Sequence, residues 1–177
     1  MDEPIPLIEI EAAAERIRGL AVRTPLVRLN VDTDPVEIYL KLEILQPIGA
    51  FKIRGAVNAM AVADSDALRC GVWTASAGNM AQGVAWNARR LGIPCSVVVP
   101  DQAPAAKLDA LTRMGAAITT VTFEEWWDII VTHQLDGQPG VFVHPVSDRA
   151  VMAGNATIGL ELAEDLPDMD AVLVPYG

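Results

Sequence analysis

Lysine, cysteine and histidine are scarce in this chain of 177 residues, which contains three lysines, two cysteines and two histidines. Cys70 and Cys95 form no redox or metal-binding motif, which is typical of proteins in a reducing compartment. Neither His133 nor His144 has a neighbour at metal-ligand spacing, so we expect no metal site. No apolar run is long enough to cross a bilayer, and the N-terminus lacks a signal-peptide pattern. These absences predict a cytoplasmic protein that binds no metal.

Positive charge is also in short supply. The formal net charge is −10, which argues against nucleic acids and anionic membrane surfaces as partners. The chain has neither a GxGxxG nor a GxxxxGK[ST] motif, so the usual nucleotide fingerprints are missing. Hydrophobic residues make up 51% of the chain, which is enough for a substantial core.

Short apolar runs alternate with helical patterns between residues 71 and 143. Strands are predicted at 71–74, 95–99, 117–121 and 141–143. One helix is predicted after Asn79 and up to Leu91, with Gly92 as its stop. A second begins at Pro104, and a third follows Thr122, which begins a capping box with Glu125. This order predicts an α/β fold with an open parallel sheet and flanking helices, in which ligands bind beyond the carboxyl ends of the strands.

The remaining predicted elements lie outside this alternation. Helices are expected at residues 8–18, 52–63 and 149–164, and strands at residues 36–42 and 171–174.

Lys52 lies in a stretch of mostly small and apolar residues, GAFKIRGA at residues 49–56. A lysine with reduced solvation is a good amine nucleophile and can form a Schiff base with an aldehyde cofactor. The alternative is that Lys52 is an ordinary surface lysine at a helix start.

A small polar loop, Ser76 to Met80, lies at the start of the helix predicted after Asn79. Such a loop can hold an anion at the helix N-terminus. The alternative is a simple helix cap made by Ser76 or Asn79. Taken together with Lys52, the loop suggests amino-acid chemistry carried by pyridoxal 5'-phosphate (PLP).

Several segments, in their order along the chain, resemble the sequence pattern of the fold-type II PLP enzymes, which have the tryptophan synthase beta-like fold. Within them the chain is similar to the threonine/serine dehydratase and serine racemase branch. The matching segments include RTPL (23–26), KLE (41–43), FKIRGA (51–56), SAGNMAQGVA (76–85), VVP (98–100), HP (144–145), TIGLE (157–161) and AVLVP (171–175).

The resemblance implies roles for individual residues. Lys52 would be the Schiff-base lysine and would move protons at the substrate Cα, and Phe51 would pack near the cofactor ring. Asn79 would bind the phenolic oxygen of PLP. The substrate carboxylate would be surrounded by Ser76, Ala77, Gly78, Asn79 and Met80. The implied activity is deamination of a hydroxy amino acid such as L-threonine or L-serine to a 2-oxo acid and ammonia, by a homodimer of the complete enzyme.

Some positions depart from the family pattern. Met80 stands where histidine is usual, which removes a polar group beside the carboxylate loop, so the motif does not determine the substrate. Ala77 replaces the serine that acts as a second base in racemases of this type, and because alanine cannot carry a proton, we expect elimination rather than racemisation. Ala50 replaces a usual serine, and Asn155 and Ala156 replace Gln-Gly.

The resemblance divides the chain into the N-terminal part of a large domain (residues 1–50), a small α/β domain (51–148) and the start of the remaining large domain (149–177). Gly177 would be the first glycine of a loop that wraps the cofactor phosphate, and we expect the rest of that loop to lie beyond it. The alternatives to a dehydratase are a serine racemase or 3-hydroxyaspartate ammonia-lyase, and a non-catalytic fragment or remnant of such an enzyme.

Overall fold

The computed structural model of the chain describes residues 3–32 and 35–175. The helices in these ranges are α1 (Leu7–Ile17), α2 (Lys52–Val62), α3 (Ser65–Cys70), α4 (Asn79–Leu91), α5 (Ala105–Arg113), α6 (Phe123–Thr132) and α7 (Arg149–Asp165), with a 3-10 helix at Glu43–Leu45. The strands are β1 (Leu26–Arg28), β2 (Tyr39–Lys41), β3 (Val72–Ala75), β4 (Cys95–Pro100), β5 (Ala117–Val121) and β6 (Val141–Phe142). Within the described residues, no helix is long and apolar enough to cross a membrane.

Four of the strands form one parallel sheet in the order β5-β4-β3-β6. All three pairings in this sheet are parallel, as the alternation of short strands and helices predicts. The chain runs outwards from β3 through β4 to β5 and then returns to the other side of β3 as β6. The order therefore reverses between β3 and β6.

The centre of the sheet, strands β3 and β4, is buried on both faces, and successive residues of β4 show this directly. Val97 and Val99 pack in a cluster with Val84 of α4 and Leu111 of α5. Val98 points to the opposite face, where it packs in a cluster with Ile129 of α6. Because side chains alternate across a strand, a run of three valines supplies both faces of the core.

Local end signals set several helix boundaries. Thr122 and Glu125 form the predicted capping box, in which the Thr122 side chain accepts from the Glu125 N–H. Gly92 ends α4 in the left-handed conformation at φ 69°, which favours glycine. Pro104 is the cap of α5 and not its first helical residue, one position from the prediction.

The strand predicted at residues 171–174 is wrong, because these residues form no strand and Leu173 is 96% exposed. A strand needs a partner for its backbone groups, and no described strand pairs with this segment. The strand predicted at 36–42 is shorter, Tyr39–Lys41, and pairs antiparallel with β1. Sequence reasoning missed β1, α3 and the 3-10 helix, since elements of three to six residues are too short to show a clear period.

Helices α2 and α7 cross at two glycines. A Cβ on Gly154 would lie 2.5 Å from the carbonyl oxygen of Arg54 and 2.8 Å from the Cα of Gly55. A Cβ on Gly55 would in turn lie 2.8 Å from the carbonyl oxygen of Val151. Since the obstructing atoms are mostly backbone, the helices can approach this closely only with glycine at both positions.

We expect Gly154→Ala to destabilise the fold by about 1–3 kcal/mol, because the added methyl forces α7 away from α2. Gly159→Ala on the same helix is the matched control, since a Cβ there meets nothing within 4 Å. The control should stabilise the protein by about 0.5–1 kcal/mol through helix propensity. Equilibrium urea denaturation measures both, and shifts of the same sign would contradict the close crossing.

Candidate active site

The reversal of strand order between β3 and β6 marks the place where open parallel sheets bind ligands, outside the carboxyl ends of the strands. Two loops leave the sheet at this place. Residues 76–78 follow β3, and residues 143–148 follow β6.

Lys52 reaches this edge of the sheet from the first position of α2. Its Nζ donates a hydrogen bond to the carbonyl oxygen of Pro145, in the loop after β6, at 3.0 Å. The same Nζ lies 5.3 Å from the ring centroid of Phe51. Burial lowers the pKa of the Lys52 amine below its ordinary value. At a given pH, more of this amine is therefore uncharged and nucleophilic than that of an ordinary lysine.

The loop after β3 presents backbone donors at the same edge. Gly78 is the cap residue of α4, and no side chain caps this helix, so neither Ser76 nor Asn79 satisfies its first N–H groups in the way that a simple cap would. The Ser76 hydroxyl oxygen accepts from the Gly78 N–H at 3.2 Å, which leaves its O–H free to donate. This end of the helix suits an anion.

The side chains of the next two residues point in different directions. Asn79 is exposed, whereas the Met80 side chain is 2% exposed and packs in the core cluster with Val84. Met80 therefore offers the loop its backbone N–H and not its side chain.

Gly83 brings the two helix starts together. A Cβ on Gly83, one turn into α4, would lie 3.4 Å from the Lys52 carbonyl oxygen and 3.4 Å from the Ile53 Cα. Lys52, Phe51 and residues 76–80 therefore lie at one edge of the fold. Gly177, the predicted start of a phosphate-binding loop, lies outside the described residues.

Sequence reasoning missed the part played by His144, which is 5% exposed. Its Nδ1 accepts from the backbone N–H groups of Val146 at 3.1 Å and Ser147 at 2.8 Å. Its Nε2 lies 3.1 Å from the carbonyl oxygen of Ile130 in α6. The imidazole thus ties the turn that contains Pro145 to the end of α6, and the sequence signals this only by the His-Pro pair.

Sequence reasoning also missed the anchor of α2. The guanidinium of Arg54, two residues after Lys52, is 1% exposed. It donates to both carboxylate oxygens of Glu43, at 2.8 and 2.9 Å, and to Glu161 of α7 at 2.6 Å. The ammonium of Lys41 forms a salt bridge with Glu161 at 2.7 Å and therefore belongs to this network.

A sequence profile of the family described as "Pyridoxal-phosphate dependent enzyme" matches residues 17–177. The chain belongs to this family. The fold-type II assignment made from the sequence motifs is thereby confirmed, and so is the α/β architecture.

Individual relatives give the same family. The chain is 43% identical to the L-threonine ammonia-lyase of Geobacter sulfurreducens, over 98% of this chain and 44% of that protein. It is similar to the solved serine racemase of Dictyostelium discoideum (TM-score 0.83, 34% identity, 94% of this chain and 55% of that one). It is also similar to the processed form of threonine deaminase isoform 2 from Solanum lycopersicum (TM-score 0.78, 32% identity, 92% of this chain and 45% of that one). The chain spans about half the length of these relatives.

The described residues fit the reactive end of PLP. An aldehyde needs an amine that is available uncharged, and burial of Lys52 lowers its pKa in that direction. An amino-acid carboxylate needs N–H donors, and the uncapped start of α4 provides them nearby.

Proposed function

We propose that this chain carries the reactive lysine and the carboxylate site of a PLP-dependent ammonia-lyase, which converts L-threonine or L-serine to a 2-oxo acid and ammonia. The observation that carries the proposal is the position of the Lys52 amine. It lies at the point where the strand order reverses, in a fold that also places the uncapped N-terminus of α4 there. The names of the relatives, L-threonine ammonia-lyase and threonine deaminase, support the substrate class.

Each residue has a role that follows from its position. PLP, when bound, withdraws electrons from the substrate Cα. Lys52 holds the cofactor through its amine and moves the Cα proton, for which a lowered amine pKa is suited. Phe51 lies beside this amine and lines the cofactor side of the site.

The loop binds the other end of the substrate. The Ser76 hydroxyl and the backbone of residues 77–80 hold the carboxylate, with the first N–H groups of α4 as the main donors. Asn79, whose side chain is exposed, binds the phenolic oxygen of the cofactor.

Ala77 favours elimination over racemisation, since its methyl group cannot exchange a proton with Cα. A serine racemase is the second candidate, because a serine racemase is among the similar solved structures. A 3-hydroxyaspartate ammonia-lyase and a non-catalytic remnant are the remaining candidates. We also propose that the complete enzyme is a cytoplasmic homodimer and that its domains divide at residues 50 and 148.

One set of assays separates these candidates. The protein is supplied with PLP and with L-threonine, L-serine or 3-hydroxyaspartate, and both 2-oxo acid and D-serine are measured. We expect 2-oxo acid from threonine and serine, with D-serine formation at least about tenfold slower than deamination of L-serine, a difference of ~1.4 kcal/mol in barrier.

A different pattern of products would identify one of the competing candidates. D-serine formed as fast as pyruvate indicates a racemase, and a strong preference for 3-hydroxyaspartate indicates the corresponding lyase. Borohydride reduction in the presence of PLP, followed by peptide mass analysis, tests whether the chain is a non-catalytic remnant. Label spread evenly over Lys41, Lys52 and Lys107 would mean that this chain holds no cofactor pocket of its own.

A further inference from the structure

His144 joins the turn after β6 to the end of α6 through one imidazole ring. Backbone N–H groups can only donate, so the Nδ1 that faces Val146 N and Ser147 N carries no proton. A carbonyl oxygen can only accept, so the Nε2 beside Ile130 O carries the proton. The partners therefore require the neutral Nε2–H form of the ring.

The turn that this ring organises contains Pro145, the residue immediately after His144. The carbonyl oxygen of Pro145 accepts the hydrogen bond from Lys52 Nζ at 3.0 Å. Ser147 Oγ lies 2.9 Å from Nδ1 and adds a third contact to the same nitrogen. If a proton occupied Nδ1, the two backbone N–H groups would face a donor and only the Ser147 hydroxyl could turn to accept, so the turn would lose the two backbone hydrogen bonds that support it.

We propose that neutral His144 is a positioning residue for the Lys52 amine, which it holds in place through the Pro145 carbonyl, and that protonation of His144 releases the amine. This inference rests on the proposed role of Lys52 and adds to it a residue that never touches the substrate.

Charged and titratable groups face His144 from the neighbouring elements. The His133 ring, at the end of α6, lies 4.6 Å away between centroids, Asp148 caps α7, and Lys52 lies beyond Pro145. Burial lowers the pKa of His144 below its ordinary value; the Ile130 carbonyl and Asp148 oppose the shift, and His133 adds to it. The support that His144 gives is therefore complete above pH ~6.5 and is lost as the pH falls through its lowered pKa.

Two variants separate the two ring nitrogens. His144→Asn puts an amide oxygen where Nδ1 accepts, and it cannot be protonated. His144→Gln puts its amide near Nε2 and removes the acceptor that holds the turn. His133→Asn is the matched control, because asparagine tolerates the positive φ of 61° at that position.

The readout is trace acetylation with acetic anhydride between pH 5 and 8, measured as Lys52 reactivity relative to the exposed Lys107 in the same digest. In the wild type, the ratio of Lys52 to Lys107 acetylation should differ from one at pH 8 and move towards one, by about threefold or more, as His144 becomes protonated. His144→Gln should show, at every pH, the ratio that the wild type reaches only when His144 is protonated. His144→Asn should keep the wild-type value of pH 8 throughout, and His133→Asn should only shift the midpoint upwards.

Hydrogen exchange of the Val146 and Ser147 amides reports on the turn itself. These amides should exchange faster in His144→Gln than in the wild type at pH 8, and His144→Asn should protect them as the wild type does. Superimposable acetylation curves for wild type, His144→Asn and His144→Gln would overturn the proposal. Because this readout needs no cofactor, it is independent of PLP trapping on Lys52. Trapping that succeeds while the curves superimpose would leave the proposed function standing without the part given to His144.

Discussion

Replacement of Lys52 by alanine is expected to lower the rate of L-threonine deamination by at least about a thousandfold, because one amine both holds the cofactor and moves the Cα proton. The substitution should leave the fold intact. The side chain makes one hydrogen bond, to Pro145 O, and its ammonium is only partly buried. Steady-state kinetics with saturating PLP measure the effect, and thermal unfolding checks the fold.

Lys107→Ala is the control for this prediction. Lys107 is exposed in the first turn of α5, so its loss should change the rate less than about twofold. Lys41 would be a poor control because its ammonium pairs with Glu161. Deamination by Lys52→Ala at the wild-type rate would disprove the role given to this amine.

Arg54→Met is expected to destabilise the protein by about 3–5 kcal/mol, because it leaves two carboxylates whose side chains are only 14% exposed without their main partner. Glu43 loses two hydrogen bonds and Glu161 loses its bonds to the guanidinium, although Lys41 still pairs with Glu161. For a chain of this size, the loss corresponds to a fall in Tm of roughly 6–20 °C. Equilibrium denaturation and calorimetry both measure it.

A double-mutant cycle tests the cause. Glu43→Gln removes the charge that Arg54→Met leaves unpaired, so the second substitution should cost less in the Arg54→Met background than in the wild type. Arg18→Met is the control, since the Arg18–Glu15 pair is on the surface and should contribute less than about 1 kcal/mol. A loss below about 1 kcal/mol for Arg54→Met would show that the buried pair does not hold α2.

The same network predicts acid sensitivity. Burial by itself would raise the pKa of Glu43, but hydrogen bonds from Arg54, Thr24 and Gln46 outweigh it, and the pKa lies below its ordinary value. The stabilisation by this carboxylate is therefore present above its ordinary pKa of about 4.3 and is lost as the pH falls through the lowered value.

The amino-acid sequence by itself determined the parts of this protein that depend on neighbouring residues. The end of α4 at Leu91 and both bounds of β5 agree with the prediction to the residue, and the capping box of Thr122 and Glu125 is confirmed. These signals are local, since a left-handed glycine or a capping side chain acts within one turn of the backbone. The motifs around Lys52 and Ser76 were also sufficient to predict the family.

Only the tertiary structure decided what surrounds those motifs. Pro145, which accepts the hydrogen bond of Lys52, is 93 residues away in the chain, and Glu161 is 107 residues from Arg54. The protonation form of His144 depends on Ile130 and on a turn that the sequence marks only weakly. Residues 171–174 have a strand-like pattern but no described partner, and a strand exists only where another strand meets its backbone groups. Contacts of this kind depend on how distant segments meet, which no local pattern encodes.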